Sequence, residues 1–422
     1  MRFSRSVTTC VHRCTMFLLI WHLSGALYAT LPVYAGEPYT SHSQPESQSA
    51  SVPLYVENNR PFVDLEFTRP NGSIRRARFW VDTGGGGFIM VEPLARELGL
   101  KFGTITSEGE SKFASTETPV VHIGRMRLNL DGARTMVAIG QSGMMPGVPA
   151  EGLLPGHVLM RYHVVFDYPG RKFQIAKPGT VKPRGLKLSA PINQRSGFPR
   201  IEAKIGNVDY GFLLDTGASF TMVSQELINK WASEHPEWPQ AKGAVGSANM
   251  GLGSVEVNGL MMRIPRVGIS TFQLSGAAVV SRPKGTFENY MSQMMSAPIV
   301  GAIGGNILKT FRVEIDYANG AAYLENTGKP DPHDLDVIGL TLQAQRDGNY
   351  VVAGISDQTN KEIYRAARRG DRLIKVGAFE VTGASFARVI DSLRGKPGNL
   401  RLLVLERDGK QFEVKAPIIR AL

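Results

Sequence analysis

The strongest constraint on the fold is an internal repeat of two sequence blocks. RFWVDTGGGGFIMVEPLARELGL spans residues 78–100, and GFLLDTGASFTMVSQELINKWA spans residues 211–232. Each block has an apolar run, then Asp-Thr-Gly, then an amphipathic stretch of helical period. A second pair, each 17 residues long, occupies residues 152–168 and 301–317, starting 70 residues after Asp82 and 86 residues after Asp215. Two blocks repeated in the same order predict two structurally equivalent lobes.

Length and composition agree with a multidomain, mainly-β chain. A chain of 422 residues is too long for one compact domain. Its 46 Gly and 25 Pro separate short runs in which apolar and polar residues alternate, a pattern typical of β-hairpins. We therefore expect β-rich lobes over residues 56–182 and 183–328. A Pro- and Asp-rich linker then leads to a third unit over residues 335–422.

The first 35 residues have the pattern of an export signal. Three arginines precede the apolar stretch MFLLIWHLSGALYA, and Val33-Tyr34-Ala35 places small residues where a signal peptidase cleaves. This pattern predicts a periplasmic or secreted protein. The alternative is an uncleaved membrane anchor, because residues 16–35 approach the length of a membrane span. Contact with a membrane is expected only in that case.

The next segment and the cysteines bear on the mature chain. Residues 36–55 are polar and Ser-rich, which predicts a flexible linker. Both cysteines, Cys10 and Cys14, lie in the leader, so the mature chain is expected to have no disulfide and no thiolate metal site. The net charge is +11, but the basic residues are scattered, so nucleic acid is not an expected partner.

The duplicated Asp-Thr-Gly elements are suited to presenting two carboxylates to each other. If the lobes pack about a pseudo-two-fold axis, Asp82 and Asp215 meet where the lobes join. Two carboxylates that close cannot both ionise cheaply, so one keeps a proton. The ionised member can then take a proton from water while the protonated one donates to a carbonyl. The supporting loop residues are Thr83 and Thr216, whose hydroxyls can brace the two loops, and Gly84 and Gly217, which permit the tight turns.

These motifs resemble those of the retropepsin-like aspartic proteases, in the bacterial form with two lobes in one chain. The resemblance rests on LLDTGASFTMVS and WVDTGGGGFIMV with the downstream Gly-Leu-Leu-Pro-Gly and Gly-Ala-Ile-Gly-Gly blocks, and it covers about residues 56–328. It implies two pepsin-like or retropepsin-like β-barrel lobes related by a pseudo-two-fold axis, with Asp82 and Asp215 catalytic. It also maps two flaps to residues 103–118 and 243–254, and it requires no cofactor or metal.

The two motifs differ at the second position after their glycine. Ser219 occupies it in the second motif and Gly86 in the first. A hydroxyl at Ser219 can donate to Asp215 and favour its charged form. We therefore expect Asp215 to be ionised and Asp82 to hold the proton. The glycine run that includes Gly86 also leaves open a catalytically inactive first site.

The last unit resembles a PDZ domain over about residues 335–420. The match rests on Ile-Gly-Leu-Thr from residue 338, on Arg-Gly-Asp-Arg-Leu-Ile from residue 369, and on a helical pattern near residues 385–393. The resemblance implies an α+β domain that binds a peptide as an added strand. Its groove would be lined by Ile338, Gly339, Leu340, Thr341 and Leu342. An occluded groove is the alternative reading. The apolar chain end at Leu422 is a candidate ligand for the groove of another copy.

The sequence thus predicts an exported aspartic endopeptidase that acts on protein or peptide substrates at acid pH, with a PDZ-like module that recruits substrate or partner. The rival hypothesis is an inactive scaffold that binds peptides through the PDZ-like unit. Both Asp-Thr-Gly motifs are intact, which favours the enzyme.

Overall fold

The computed structural model describes residues 47–108, 111–243, 259–420 and 422. Strands hold 47% of these residues and helices 14%, so the predicted mainly-β class is confirmed. The predicted leader and residues 36–46 of the predicted linker lie outside the described residues. Within the described ranges, no helix combines the length and the apolar character that a membrane crossing requires.

The strands fall in four main sheets and a short two-stranded one. In chain order they are Ser49–Pro53, Tyr55–Glu57, Arg60–Thr68, Ile74–Asp82, Phe88–Val91, Phe102–Glu108, Ser111–Thr116, Val121–Ile123, Met126–Arg127, Thr135–Ile139, Gly152–Pro155, His163–Asp167, Lys172–Ala176, Leu186–Ser189, Arg200–Ile205, Val208–Leu214, Thr221–Ser224, Gln240–Lys242, Leu260–Ile269, Phe272–Arg282, Gly301–Ile303, Phe311–Asp316, Ala321–Asn326, Asp336–Val337, Leu340–Ala344, Tyr350–Ile355, Arg372–Val376, Phe379–Glu380, Leu400–Arg407, Lys410–Pro417 and Ile419–Arg420.

Helices are short and lie between the strands. The α-helices are Glu92–Glu97, Gly156–Leu159, Gln225–Glu234, Gly305–Leu308, Lys361–Ala366 and Phe386–Leu393, with a π-helical turn at Thr286–Tyr290 and 3-10 turns at Met291–Met294 and Tyr317–Asn319. The amphipathic stretches after both Asp-Thr-Gly motifs form helices. Ser224 caps the second of these by accepting a hydrogen bond from the Leu227 amide.

Each repeat contributes a sheet, and the two sheets share one strand order. The first contains, side by side, Arg60–Thr68, Ile74–Asp82, Gly152–Pro155, Phe88–Val91, Thr135–Ile139 and Ser111–Thr116. The second contains Arg200–Ile205, Val208–Leu214, Gly301–Ile303, Thr221–Ser224, Phe272–Arg282 and Leu260–Ile269, and its outer strands also pair, which closes a six-stranded barrel. In both, the strand that leads to the aspartate runs parallel to the strand that opens the second block. The apolar runs before Asp82 and Asp215 are buried, as central strands require.

A third sheet joins the two repeats through one antiparallel strand pair. His163–Asp167 pairs with Phe311–Asp316, and Val165 lies opposite Glu314 at the centre of the pairing. These two residues hold the same place in the two 17-residue blocks. Glu314 is fully buried and accepts hydrogen bonds from the Arg184 amide, the His163 ring and Arg312, so its charge is compensated inside the sheet.

The linker prediction was wrong for part of its range. Ser49–Pro53 is an edge strand of the joining sheet, paired antiparallel with Lys172–Ala176, and Tyr55–Glu57 pairs with the start of Arg60–Thr68. The side chains of Ser49–Pro53 alternate between exposed and half-buried. Backbone pairing and the partly buried Ala50 and Val52, which pack against the core, hold this strand, and a Ser-rich composition gives no sign of it.

The C-terminal unit has its own sheet, helices and core. Its strands lie in the order Leu340–Ala344, Tyr350–Ile355, Arg372–Val376, Leu400–Arg407 and Lys410–Pro417. Helix Phe386–Leu393 begins at Ser385, whose hydroxyl accepts from the Arg388 amide, and it buries the four apolar residues at helical spacing. The core cluster of this unit contains only residues between 338 and 418.

The chain end does not project as a free ligand. Ile419–Arg420 pairs with Asp336–Val337, and Leu422 packs in an apolar cluster with Phe220, Met261 and Leu335 of the same chain. Leu422 is only 8% exposed. The suggestion that it enters a groove of another copy was wrong, because burial against the closed barrel satisfies this side chain within its own chain.

We expect Leu422→Ala to lower the free energy of unfolding by about 2 kcal/mol, because it removes buried methyl groups and leaves a cavity. Urea titration followed by fluorescence measures the change. Leu400→Ala is the matched control, since Leu400 is 62% exposed and its truncation should cost less than about 0.5 kcal/mol. Equal losses in the two variants would show that the chain end is not anchored as described.

Candidate active site

The two aspartates lie at the ends of equivalent strands and face each other. Asp82 ends the strand Ile74–Asp82, and Asp215 directly follows Val208–Leu214. Their carboxyl groups are close enough for each to influence the protonation of the other. Asp215 is buried and Asp82 is half-buried. Two carboxyl groups that close do not both ionise cheaply, so we expect one to keep its proton while the other carries the negative charge.

Each motif glycine makes room for the carboxyl group of the opposite motif. A Cβ atom on Gly84 would lie 3.1 Å from Cγ of Asp215, and one on Gly217 would overlap the carboxyl group of Asp82. Neither glycine has a positive φ angle. Both glycines do lie in turns whose amides donate to the carboxyl group of their own motif, as predicted. The need for glycine itself comes from the opposite carboxyl group rather than from a positive φ. A side chain at either position would push the two carboxyl groups apart.

The two motif threonines link the loops by reciprocal hydrogen bonds. The Thr83 amide donates to Oγ1 of Thr216 over 3.2 Å, and the Thr216 amide donates to Oγ1 of Thr83 over 3.0 Å. The Thr83 hydroxyl donates to the carbonyl of Leu214, and the Thr216 hydroxyl donates to that of Val81, each just before the opposite aspartate. Both threonines are fully buried. The loops therefore hold each other in register through groups that no water competes for.

Backbone amides distinguish the two carboxyl groups. Oδ1 of Asp82 accepts from the Gly84 amide over 2.9 Å. Oδ1 of Asp215 accepts from two amides, Gly217 over 2.9 Å and Ala218 over 3.1 Å. Amide donors favour the charged form of a carboxyl group, so the second motif stabilises negative charge better than the first.

The pKa values of both carboxyl groups are raised, and unequally. Burial raises the pKa of Asp82 well above its ordinary value, and the negative charge of Asp215 adds to this effect. Burial raises the pKa of Asp215 to about 6, against the lowering effect of the Ala218 and Gly217 amides. Asp82 is therefore the protonated member and Asp215 the ionised one, the direction expected from the sequence.

Ser219 does not play the part that the sequence suggested. Its hydroxyl accepts a hydrogen bond from Nδ2 of Asn58 over 3.3 Å, and its carbonyl accepts from Nδ2 of Asn59 over 3.0 Å. The expected hydrogen bond from Ser219 to Asp215 is thus replaced by the Gly217 and Ala218 amides. The reason is that Ser219 lies against the turn at Asn58 and Asn59, a contact that the sequence does not predict.

That turn and the arginine after it are functional residues that sequence reasoning missed. Asn58 and Asn59 have φ angles of 45° and 65°, which asparagine tolerates, and they connect Tyr55–Glu57 to Arg60–Thr68 as a tight hairpin. Arg60 is 1% exposed, and its Nε donates to the carbonyl of Gly217 over 2.9 Å. The only sequence signal was an asparagine pair before an alternating strand, which indicates a turn but not its contact with the second motif.

The predicted flaps are partly described. Phe102–Glu108 and Ser111–Thr116 form an antiparallel hairpin over most of residues 103–118. Of residues 243–254, only Gly243 lies within the described part of the chain. The hairpin is attached to the first sheet through Thr135–Ile139.

The residues predicted to line the peptide groove of the C-terminal unit are buried, although Leu340–Ala344 is an edge strand of its sheet. Ile338, Gly339, Leu340, Thr341 and Leu342 are all buried, and the three branched apolar side chains among them belong to the core. The Phe386 amide, at the start of the neighbouring helix, donates to the carbonyl of Gly147 over 2.6 Å. Peptide binding by these residues therefore stays a prediction, as does the alternative of an occluded groove. The structure does not bring these residues to Asp82 and Asp215.

Comparison with known proteins assigns no family. A scan against protein-family models finds no match, and a search of curated proteins finds no significant one. Within the described ranges, no three His, Cys, Asp or Glu side chains form a group that could hold a metal ion. The functional argument therefore depends on the geometry of the two motifs.

We expect Gly217→Ala to destabilise the protein by several degrees in thermal unfolding, because the added methyl group would overlap the Asp82 carboxyl group. Gly86→Ala is the matched control. Its Cβ would have no neighbour within 4 Å and its φ is not positive, so it should leave the midpoint unchanged or slightly raised. Similar midpoints for the two variants would contradict the close packing of glycine against carboxylate.

The raised pKa of Asp215 predicts a pH-dependent cost to stability. The folded protein binds more protons than the unfolded chain between the ordinary pKa and about 6, so this group lowers stability as the pH rises through that window. Asp215→Asn removes the cost, and we expect it to be more stable than the wild type at pH 7 by on the order of 2 kcal/mol, with no gain near pH 3.

Urea titrations from pH 3 to 8 measure this difference. Asp209→Asn is the control, because Asp209 is an exposed partner of Lys204 and its substitution should give no pH-dependent gain. A wild type that stays more stable than Asp215→Asn at every pH would overturn the assignment of a raised pKa.

Proposed function

We propose that the protein is an exported aspartic endopeptidase that hydrolyses peptide bonds with Asp82, Asp215 and an activated water. The observation that carries the proposal is the meeting of two repeated motifs, in which reciprocal threonine hydrogen bonds and the close fit of each glycine against the opposite carboxyl group bring Asp82 and Asp215 together. A buried pair of this kind is costly to the fold, and such pairs are characteristic of general acid–base catalysis. The leader supports export to the periplasm or out of the cell.

The arrangement of the repeats supports two retropepsin-like lobes related by a pseudo-two-fold axis, over residues 56–182 and 183–328. The two sheets share strand order and strand direction. The joining strands pair about Val165 and Glu314, which are equivalent in sequence, as a local two-fold axis between them requires. The reciprocal contacts of the motif threonines and glycines follow the same relation.

The proposed reaction uses the unequal carboxyl groups in complementary roles. Ionised Asp215 takes a proton from water as the water oxygen bonds to the substrate carbonyl carbon. Protonated Asp82 gives its proton to the carbonyl oxygen, which forms a neutral tetrahedral diol. The proton on Asp215 then moves to the amide nitrogen, the carbon–nitrogen bond breaks, and Asp82 recovers a proton from the diol. The amine and the carboxylic acid leave, and the pair again holds one proton.

The pKa directions shift the expected pH window. Activity requires Asp215 ionised and Asp82 protonated, so it should rise as the pH passes the Asp215 pKa of about 6 and fall above the higher pKa of Asp82. This window lies above the acid range that the sequence suggested, because burial raises both values. The catalytic step needs no cofactor and no metal.

The C-terminal unit, residues 335–422, is proposed to be a PDZ-like module that recruits a substrate or partner protein. Its five-stranded main sheet and two helices support an α+β module. Leu340–Ala344 is an edge strand of this sheet, the position at which an added peptide strand would pair. This unit would carry the function alone if the carboxyl pair were inactive.

The proposal predicts that Asp82→Asn and Asp215→Asn each lower the rate of cleavage of an unfolded protein by about a thousandfold or more, because each removes one half of the acid–base pair. Release of acid-soluble peptides from reduced, alkylated casein at pH 4 to 8 measures the rate. Asp167→Asn is the matched control, since this carboxylate caps a turn through the Gly170 amide and should leave cleavage within about twofold.

A wild type that releases no peptides at any pH, or equal activity in all three variants, would overturn the endopeptidase. Either result would favour the rival reading of a peptide-binding scaffold.

A further inference from the structure

Arg60 is a buried cation held against the second aspartate loop. It begins the strand Arg60–Thr68 and is 1% exposed. Its Nε donates to the carbonyl of Gly217 over 2.9 Å, and its guanidinium carbon lies 5.3 Å from the centre of the Trp80 ring. A fully buried arginine is costly unless negative charge nearby compensates it. The charge is therefore expected to have a partner within the site.

The carboxyl pair is that partner. Asp82 and Asp215 share one proton and carry one negative charge, and both interact electrostatically with Arg60. Burial lowers the pKa of Arg60 to about 10, while the charges of Asp82 and Asp215 oppose the fall, so the guanidinium stays protonated at neutral pH. One cation beside a singly ionised pair leaves the buried site neutral.

Arg60 also breaks the equivalence of the two repeats. The carbonyl of Asn59 lies against Gly305, and that of Gly197 lies against Gly156, the equivalent position in the other repeat. The residue after Asn59 is Arg60, whereas the residue after Gly197 is the buried Phe198. The equivalent position therefore carries a cation in one repeat and an apolar ring in the other. The sequence repeat alone would not reveal this difference, because the blocks that define it exclude both residues.

We propose that Arg60 is a positioning residue that holds the Gly217 carbonyl and compensates the negative charge of the Asp82–Asp215 pair, so that the singly ionised pair persists to lower pH. This inference rests on the proposed function, because the pH window concerned is that of peptide cleavage.

Other charged and titratable groups around the turn and the pair stay constant in the test. They are Glu57, which lines a small pocket with Arg60, Lys309, which donates to Asn59, and the buried tyrosines Tyr168 and Tyr317. Tyr168 interacts electrostatically with Asp215 and Tyr317 with Asp82, and both phenols remain neutral because burial raises the pKa of each.

The experiment compares the pH profile of kcat/KM for casein-derived peptide cleavage in the wild type, Arg60→Gln and Arg60→Lys. Glutamine keeps an N–H donor without the charge. We expect both limbs of the pH profile, the rise in kcat/KM at lower pH and its fall at higher pH, to move to higher pH by about one unit. The sign follows because loss of a cation disfavours the ionised carboxyl group. Lysine keeps the charge, and its limbs should stay within about 0.3 unit of the wild type.

Arg263→Gln is the matched control. Arg263 is also buried, but it pairs with Asp334 over 2.9 Å, and its loss should leave both limbs in place. If wild type and Arg60→Gln both cleave the peptide and the pH profile of Arg60→Gln is not shifted, the inference is overturned while the proposed function stands. Equal shifts in Arg60→Gln and Arg60→Lys would also overturn it, because a purely structural change would then explain them.

A wild type without cleavage would refute the proposed function but not this inference. In that case, the inference is tested by comparing the thermal unfolding of wild type and Arg60→Gln at pH 4 and at pH 8. Charge compensation predicts a larger loss of stability at pH 8, where the pair is ionised, than at pH 4. An equal loss at both pH values would contradict it.

Discussion

The close packing of the Asp82 and Asp215 loops against each other is the constraint on which the site depends. Each carboxyl group lies in space that the opposite motif leaves by having glycine, and each motif threonine binds the backbone before the opposite aspartate. Neither motif is therefore complete by itself. The duplicated sequence folds into two sheets whose strands end at the same place, and the joining sheet fixes their relative position through the pairing about Val165.

The burial that accompanies the packing of the two motifs also changes the pKa values of their carboxyl groups. Taking the carboxyl groups out of water raises both pKa values, and unequal numbers of amide donors separate them, so one acid and one base coexist near neutral pH. The cost to stability is offset by the reciprocal threonine bonds and by the buried Arg60, which supplies the opposite charge. The buried carboxyl groups thus lower the stability of the fold while they provide the proposed activity.

Much of this arrangement was predictable because it follows from local patterns repeated in the chain. Apolar runs and turns gave the mainly-β class, and the double motif gave the aspartates, threonines and glycines of the site. Arg60 was not predictable, because its contact with Gly217 joins residues 157 positions apart. The roles of Ser219 and of the edge strand Ser49–Pro53 also depend on distant partners. Burial of residues 338–342 depends on packing within the C-terminal unit that a motif match does not describe.

The central claim is that the aspartates of the two repeats share a single proton. Neutron diffraction from a deuterium-exchanged crystal tests it most directly, since deuterium is visible on a carboxyl oxygen. The crystal is brought to a pH above 7, where Asp215, with its pKa of about 6, is mostly ionised, and we expect a deuteron bound to Asp82 beside a bare Asp215 carboxylate. Two deuterium-free carboxylates, a deuteron carried by Asp215, or side chains too far apart to share one would contradict the account.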